Sequence, residues 1–292
     1  MEVSFKPAMP GWLRPMRKWL IGLVPGMFFL FAATSAVAEQ GRIYKIGVVP
    51  QFETRRLQAI WRPILKELEK RTGLHFTLRG APSIQVFEKE FMAGNFDFAY
   101  MNPYHVLRAQ KEQGYLPLVR DTGRKLYGVL VVRKDSPVRE VKALHGQIVA
   151  FPAANALGAS LLVRAELHDV YHIRIRPRYV KTHDSVYLNV VLGEAAAGGG
   201  VQKSLQNQSE EVREALRVLY RTRKVVPHPF AAHPRVPKAV RDKVREALLA
   251  MGRTEAGRQL LARIPIKKVG PASMADYRPL GKMGLERFYQ RE

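Results

Sequence analysis

Residues 44–78 read YKIGVVPQFETRRLQAIWRPILKELEKRTGLHFTL, and the class of the fold follows from this stretch. Tyr44 to Val49 alternates apolar and polar and stops at Pro50, the pattern of a strand followed by a turn. Leu57, Ile60, Trp61, Ile64, Leu65 and Leu68 then recur at i, i+3, i+4, i+7, i+8 and i+11, which predicts an amphipathic helix ending before Gly73. Pro63 lies inside that pattern and predicts a kink or a late helix start, because proline removes an N–H and crowds the preceding turn. His75 to Leu78 makes a second strand. Strand, helix and strand in this order form a βαβ unit, whose strands run parallel under covering helices. The fold class is therefore α/β.

The same rhythm runs onward. Helices are predicted over 87–92, 104–113 (closed by Gly114), 157–168 and 185–192 (closed by Gly193), and strands over 96–100, 126–133, 147–151 and 178–181. The run Glu194-Ala-Ala-Ala-Gly-Gly-Gly200 reads as a tight helix-to-strand passage where backbones approach closely, since the Lys-Ser/Thr ending of a phosphate-cradling loop is missing. From Pro237 the chain is helical again, and Pro227-His228-Pro229 and His233-Pro234 read as loops. A length of 292 residues suits one large domain or two smaller ones. Two lobes joined by short strands are expected, because no repeat or low-complexity tether separates the halves.

Upstream, Lys6, Arg14, Arg17 and Lys18 precede an apolar run from Trp19 to Phe31, and Ala36-Val37-Ala38 forms an A-x-A site. This order predicts a signal peptide over 1–38, cleaved after Ala38, and hence a periplasmic protein. The apolar run is broken by Gly22, Pro25 and Gly26 and is shorter than the ~20 residues of a membrane span. The chain has no cysteine, which excludes disulfides, thiolate metal sites and a cysteine nucleophile. Its formal net charge is +23, most of it beyond residue 38, and such a field steers anions toward a cleft. Arg174, Arg176 and Arg178 share one face of an extended segment and read as solvated.

Enzymatic constellations are missing: there is no GxSxG, HExxH, GxGxxG or Walker motif. His168 and His172 have i, i+4 spacing, but the helix is expected to end between them, so no metal site is predicted. The chain is read as a non-enzyme with no cofactor. Two helix starts carry the binding chemistry instead. Asn155 precedes one and Thr182-His183-Asp184-Ser185 the other, and a helix N-terminus with free N–H groups holds oxyanions unless a side chain caps it. Phe52, Asn102 and Tyr104 follow strands, at the carboxyl ends where open α/β sheets bind ligands.

Gly47-Val-Val-Pro50, Trp61-Arg-Pro63, Phe96-Asp-Phe-Ala-Tyr-Met-Asn-Pro-Tyr104, Val149-Ala-Phe-Pro152, Thr182-His-Asp-Ser-Val186, Gly193-Glu-Ala-Ala-Ala-Gly198 and Asp276-Tyr277 together resemble the periplasmic phosphate-, phosphite- and phosphonate-binding proteins of ABC transporters. The resemblance spans nearly all of the chain after residue 38. It implies two α/β lobes, each a mostly parallel sheet flanked by helices, joined by two hinge strands: residues 39–124 plus 222–292, and residues 125–221. It also implies a small anion held between them by Phe52, Asn102, Tyr104, Asn155, Ala156, Leu157, Gly158, His183 and Ser185. The family's Ser-Thr-Ser run falls on Ala156-Leu157-Gly158 here, and its acidic residue on Ala196. The implied partner is a membrane permease or, in the alternative, a membrane sensor kinase; nucleic acid is not expected, and a monomer is.

Overall fold

The computed structural model describes residues 41–290; the signal peptide expected over 1–38 lies outside them. From the start, the chain forms β1 (Ile43–Val48), α1 (Thr54–Thr72), β2 (His75–Arg79), α2 (Ile84–Met92), β3 (Phe98–Tyr100), α3 (Pro103–Gln113) and β4 (Leu116–Asp121). It then crosses into β5 (Gly128–Arg133), β6 (Ile148–Phe151), α4 (Leu162–Asp169), β7 (Arg176–Tyr179), α5 (His183–Val191), β8 (Ala197–Val201), α6 (Gln202–Gln206), α7 (Glu210–Glu214) and β9 (Leu216–Arg221). A second crossing leads back to β10 (Pro229–Ala232), α8 (Lys238–Met251), α9 (Glu255–Ala262), β11 (Val269–Pro271) and α10 (Met274–Tyr277).

Two sheets result, ordered β11-β4-β10-β3-β1-β2 and β7-β6-β8-β5-β9. The βαβ unit holds: β1 pairs parallel with both β2 and β3. The sheets as wholes are mixed rather than mostly parallel. In the first, β10 runs antiparallel to β3 and β4, and β11 antiparallel to β4. In the second, β5 runs antiparallel to β8 and β9. The reason is connectivity, since β5 and β10 each enter their sheet straight from the other one instead of through a covering helix. The two crossings touch midway, where Leu126 and Val225 exchange backbone hydrogen bonds at 2.9 and 2.8 Å.

α1 runs through Pro63 from Thr54 and starts earlier than the proline suggested. Ala59, the residue four before Pro63, is exposed, so water serves the carbonyl that the missing N–H leaves free. Its apolar stripe of Leu57, Trp61, Ile64, Leu65 and Leu68 is buried as the periodicity predicted. Gly73, Gly114 and Gly193 end their helices with φ of 67°, 73° and 77°, a region open to glycine at low cost. The small-residue run is the passage expected: a Cβ on Gly199 would sit 2.1 Å from the Ala159 carbonyl oxygen. His172, with φ 55°, lies beyond the end of α4, so His168 and His172 share no helix.

Candidate functional site

The segment after β6 decides the site. Asn155 and Ala156 lead into a π turn, Leu157–Leu161, that continues as α4. Ser160 N and Leu161 N both donate to Ala156 O, at 2.8 and 3.1 Å, so the amides of Leu157, Gly158 and Ala159 form the first turn ahead of any helical bond. Ala156 at the N-cap has no side-chain oxygen to offer them. The turn is driven inward by burial, with Leu157, Leu161 and Leu162 joining the same buried cluster as Trp61, Phe87 and Tyr104. Burying each leucine contributes about 1.5–3 kcal/mol. Arg164 on α4 clamps it, donating to Ser160 Oγ at 3.0 Å and to Ala154 O at 2.6 Å.

The residues of this turn border an inner cavity of about 30 Å³, lined by Pro50, Gln51, Asn102, the 156–159 turn, His183, Val201 and His228 among others. That volume exceeds the ~10–15 Å³ one water occupies by the same measure. An outer cavity of about 80 Å³ adjoins it, sharing Gln51, His183, Val201 and His228 and adding Phe52, Arg124, Lys125, Tyr127, Lys203, Ser204 and Arg263. Among the described residues, no Asp or Glu lines either cavity.

Both shared histidines are held neutral. Burial pushes His183 down to about 4, with Asp184 opposing slightly, and pushes His228 down to about 3. His183 Nδ1 lies 3.2 Å from Ser204 Oγ, while His228 Nε2 lies 3.0 Å from Gln51 Nε2 and its ring stacks on Tyr100. His183 opens α5, whose start is served by its own chain: Thr182 Oγ accepts from Ser185 N at 3.1 Å. Two helix N-termini therefore meet this region, one capped and one bare.

A family model described as "ABC transporter, phosphonate, periplasmic substrate-binding protein" matches residues 46–277. The chain belongs to this family. Its members are solute-binding proteins rather than enzymes, and they are periplasmic. The phosphate-import protein PhnD of Mycolicibacterium smegmatis is 22% identical over 223 residues, covering 68% of this chain and 69% of that protein. A binding-protein component of a phosphonate ABC transporter from Pseudomonas aeruginosa superposes with a TM-score of 0.76 at 14% identity, over 84% of this chain and 87% of its own. PhnD1 from Prochlorococcus marinus, solved with methylphosphonate, superposes at 0.75 with 16% identity, over 84% and 98%. These likenesses show a shared two-lobed fold.

Of the site residues implied by the phosphonate-binding family, Ala156, Leu157, Gly158, Asn102 and His183 line the inner cavity and Phe52 the outer one. Asn102 also has a local duty, since its Oδ1 accepts from Tyr104 N and His105 N at 2.9 and 2.8 Å and caps α3. Tyr104, Asn155 and Ser185 stand outside both linings. The Tyr104 ring packs on Tyr289 with centroids 5.6 Å apart. Asn155 donates to Glu88 and Gln290 O and accepts from Gln290 N, all within 2.8–2.9 Å, tying the turn to α2 and to the C-terminal segment. Ser185 Oγ lies 2.9 Å from Thr182 Oγ.

Sequence reasoning missed Gln51, His228 and the outer cations. Gln51 immediately follows Pro50 at the carboxyl end of β1, the location that marked Phe52. His228 lies in the returning crossing, as the loop reading of Pro227-His228 had it; Pro229 opens β10 instead of a loop, its missing N–H allowed at a strand's first position. Among the described residues no group of three or more His, Asp or Glu is placed to hold a metal, and no helix is long and apolar enough to cross a membrane.

Proposed function

We propose that this chain is an exported binding protein that captures a small oxyanion of the phosphate, phosphite or phosphonate class and delivers it to a membrane permease. The capturing lobes are residues 39–124 plus 222–292 and residues 125–221, with the paired crossings at Leu126 and Val225 as the hinge. One observation carries the reading: the amides of Leu157, Gly158 and Ala159 open a buried helix that no side chain caps, beside a cavity without a carboxylate. Buried N–H groups lacking an acceptor are costly, and an oxyanion supplies acceptors while meeting the positive end of the helix dipole.

Replacing hydroxyl donors by Ala156, Leu157 and Gly158 leaves the backbone amides as the principal donors. Neutral His183 and His228 each offer one ring N–H at most, so they add hydrogen bonds without a formal charge. Closure of the two lobes around the anion, which excludes water, strengthens each of these bonds.

The test is thermal unfolding of the protein against phosphate, phosphite, methylphosphonate, sulfate, nitrate, acetate and a neutral sugar. A ligand at 100 times its Kd adds about 2.7 kcal/mol and raises the midpoint by several degrees. A rise with one or more of the three phosphorus oxyanions, and none with the sugar, is the expected result. No rise with any anion contradicts the proposal.

A further inference from the structure

The outer cavity has a charge pattern that oxyanion capture in the inner cavity leaves unused. Arg124 and Lys125 on the outgoing crossing, Lys203 on α6 and Arg263 just after α9 all line it, and no carboxylate does. Arg120 and Arg223, by contrast, are paired: Arg120 meets Asp276 at 2.8 Å and Arg223 meets Glu166 at 2.8 Å. Phe52, Leu126 and Tyr127 supply apolar wall between these charges. Four cations from three separate parts of the chain thus converge on about 80 Å³, room for several water-sized groups.

We propose that the ligand is elongated and doubly acidic, with an oxyanion head in the inner cavity and a second acid group, a carboxylate or phosphate, in the outer one. The inference rests on the proposed head site. The two cavities have Gln51, His183, Val201 and His228 in common and therefore adjoin, and a ligand with a short linker would span both. A ligand bearing an ammonium group is disfavoured there, because it would face four like charges with no carboxylate to offset them. A plain alkyl tail would contact the aromatic wall but gain nothing from the cations.

Titration calorimetry with three phosphonates of similar length separates these cases: 3-phosphonopropionate, butylphosphonate and 3-aminopropylphosphonate. Several partly exposed ion pairs together give 3-phosphonopropionate a roughly tenfold lower Kd than butylphosphonate. The aminophosphonate is the weakest of the three. Raising salt narrows the gap between the first two, and the double variant Lys203→Gln/Arg263→Gln brings the ratio of their affinities toward one. Equal affinities, or tightest binding by the aminophosphonate, overturn the second acid group while leaving oxyanion capture standing. Binding of methylphosphonate with none of the three longer compounds also overturns it. No binding by any of them, methylphosphonate and phosphate included, removes the head site itself.

Discussion

The two helix starts that border the cavities, a π turn after Ala156 and an α-helix after Thr182, are satisfied differently. At α5, Thr182 Oγ accepts from Ser185 N, so the first turn is served within its own segment. At the π turn, Ala156 has nothing to offer, Asn155 is committed to Glu88 and Gln290, and the first three residues line a cavity. The 156–160 turn is buried throughout, whereas at α5 His183 is buried and Thr182, Asp184 and Ser185 are half-buried, so the starts differ in burial as well as in side chains. A capped start is a structural part; a bare buried one is a binding site waiting for an acceptor.

Acid should disturb the wall that the two starts share, where both His183 and His228 lie. The unfolded chain protonates His183 and His228 near 6.5, whereas the folded chain resists down to about 4 and about 3. Stability is then unaffected by these groups above about pH 6.5 and falls as pH drops below it, by about 1.4 kcal/mol per pH unit for each histidine. Urea unfolding between pH 7 and 4 measures the slope, and His228→Gln should reduce it.

The bare side is broken by steric means. A Cβ on Gly128 would stand 2.0 Å from the Gly158 carbonyl oxygen, so Gly128→Ala must push the π turn away. The expected cost is about 1–3 kcal/mol of stability with loss of the oxyanion response in calorimetry. Retained affinity would show that the turn is not where the anion sits.

Exchanging the caps sharpens the contrast. Ala156→Asp gives the bare start its own acceptor, raising stability by about 0.5–2 kcal/mol while weakening oxyanion binding. Thr182→Ala removes the other cap and lowers stability by about 1 kcal/mol, a loss that added oxyanion does not restore selectively. The smallest effect belongs to Ser185→Ala, expected to change stability by less than about 0.5 kcal/mol and affinity by less than about twofold, because Ser185 lines neither cavity.

Much of this organisation was legible in residues. The stripe from Leu57 to Leu68 and the stops at Gly73, Gly114 and Gly193 state local physics that the tertiary structure left unchanged. β4 and β10 escaped because Pro117 and Pro229 interrupt or open short apolar runs, and β9 because Arg217 and Arg221 bound an apolar run of three residues, Val218 to Tyr220. The strand-to-helix passage at 152–158 was legible as a helix start, but only the fold shows which start keeps its cap. His228, Gln51, Lys203 and Arg263 carry no common spacing, since they meet only when the crossings, α6 and the segment after α9 converge.

The most direct measurement is a crystal structure of the protein grown with methylphosphonate or phosphate. The expected result is a tetrahedral anion in the inner cavity, within hydrogen-bonding distance of the Leu157, Gly158 and Ala159 amides. An anion bound elsewhere, with those three amides turned to protein acceptors, would contradict the account.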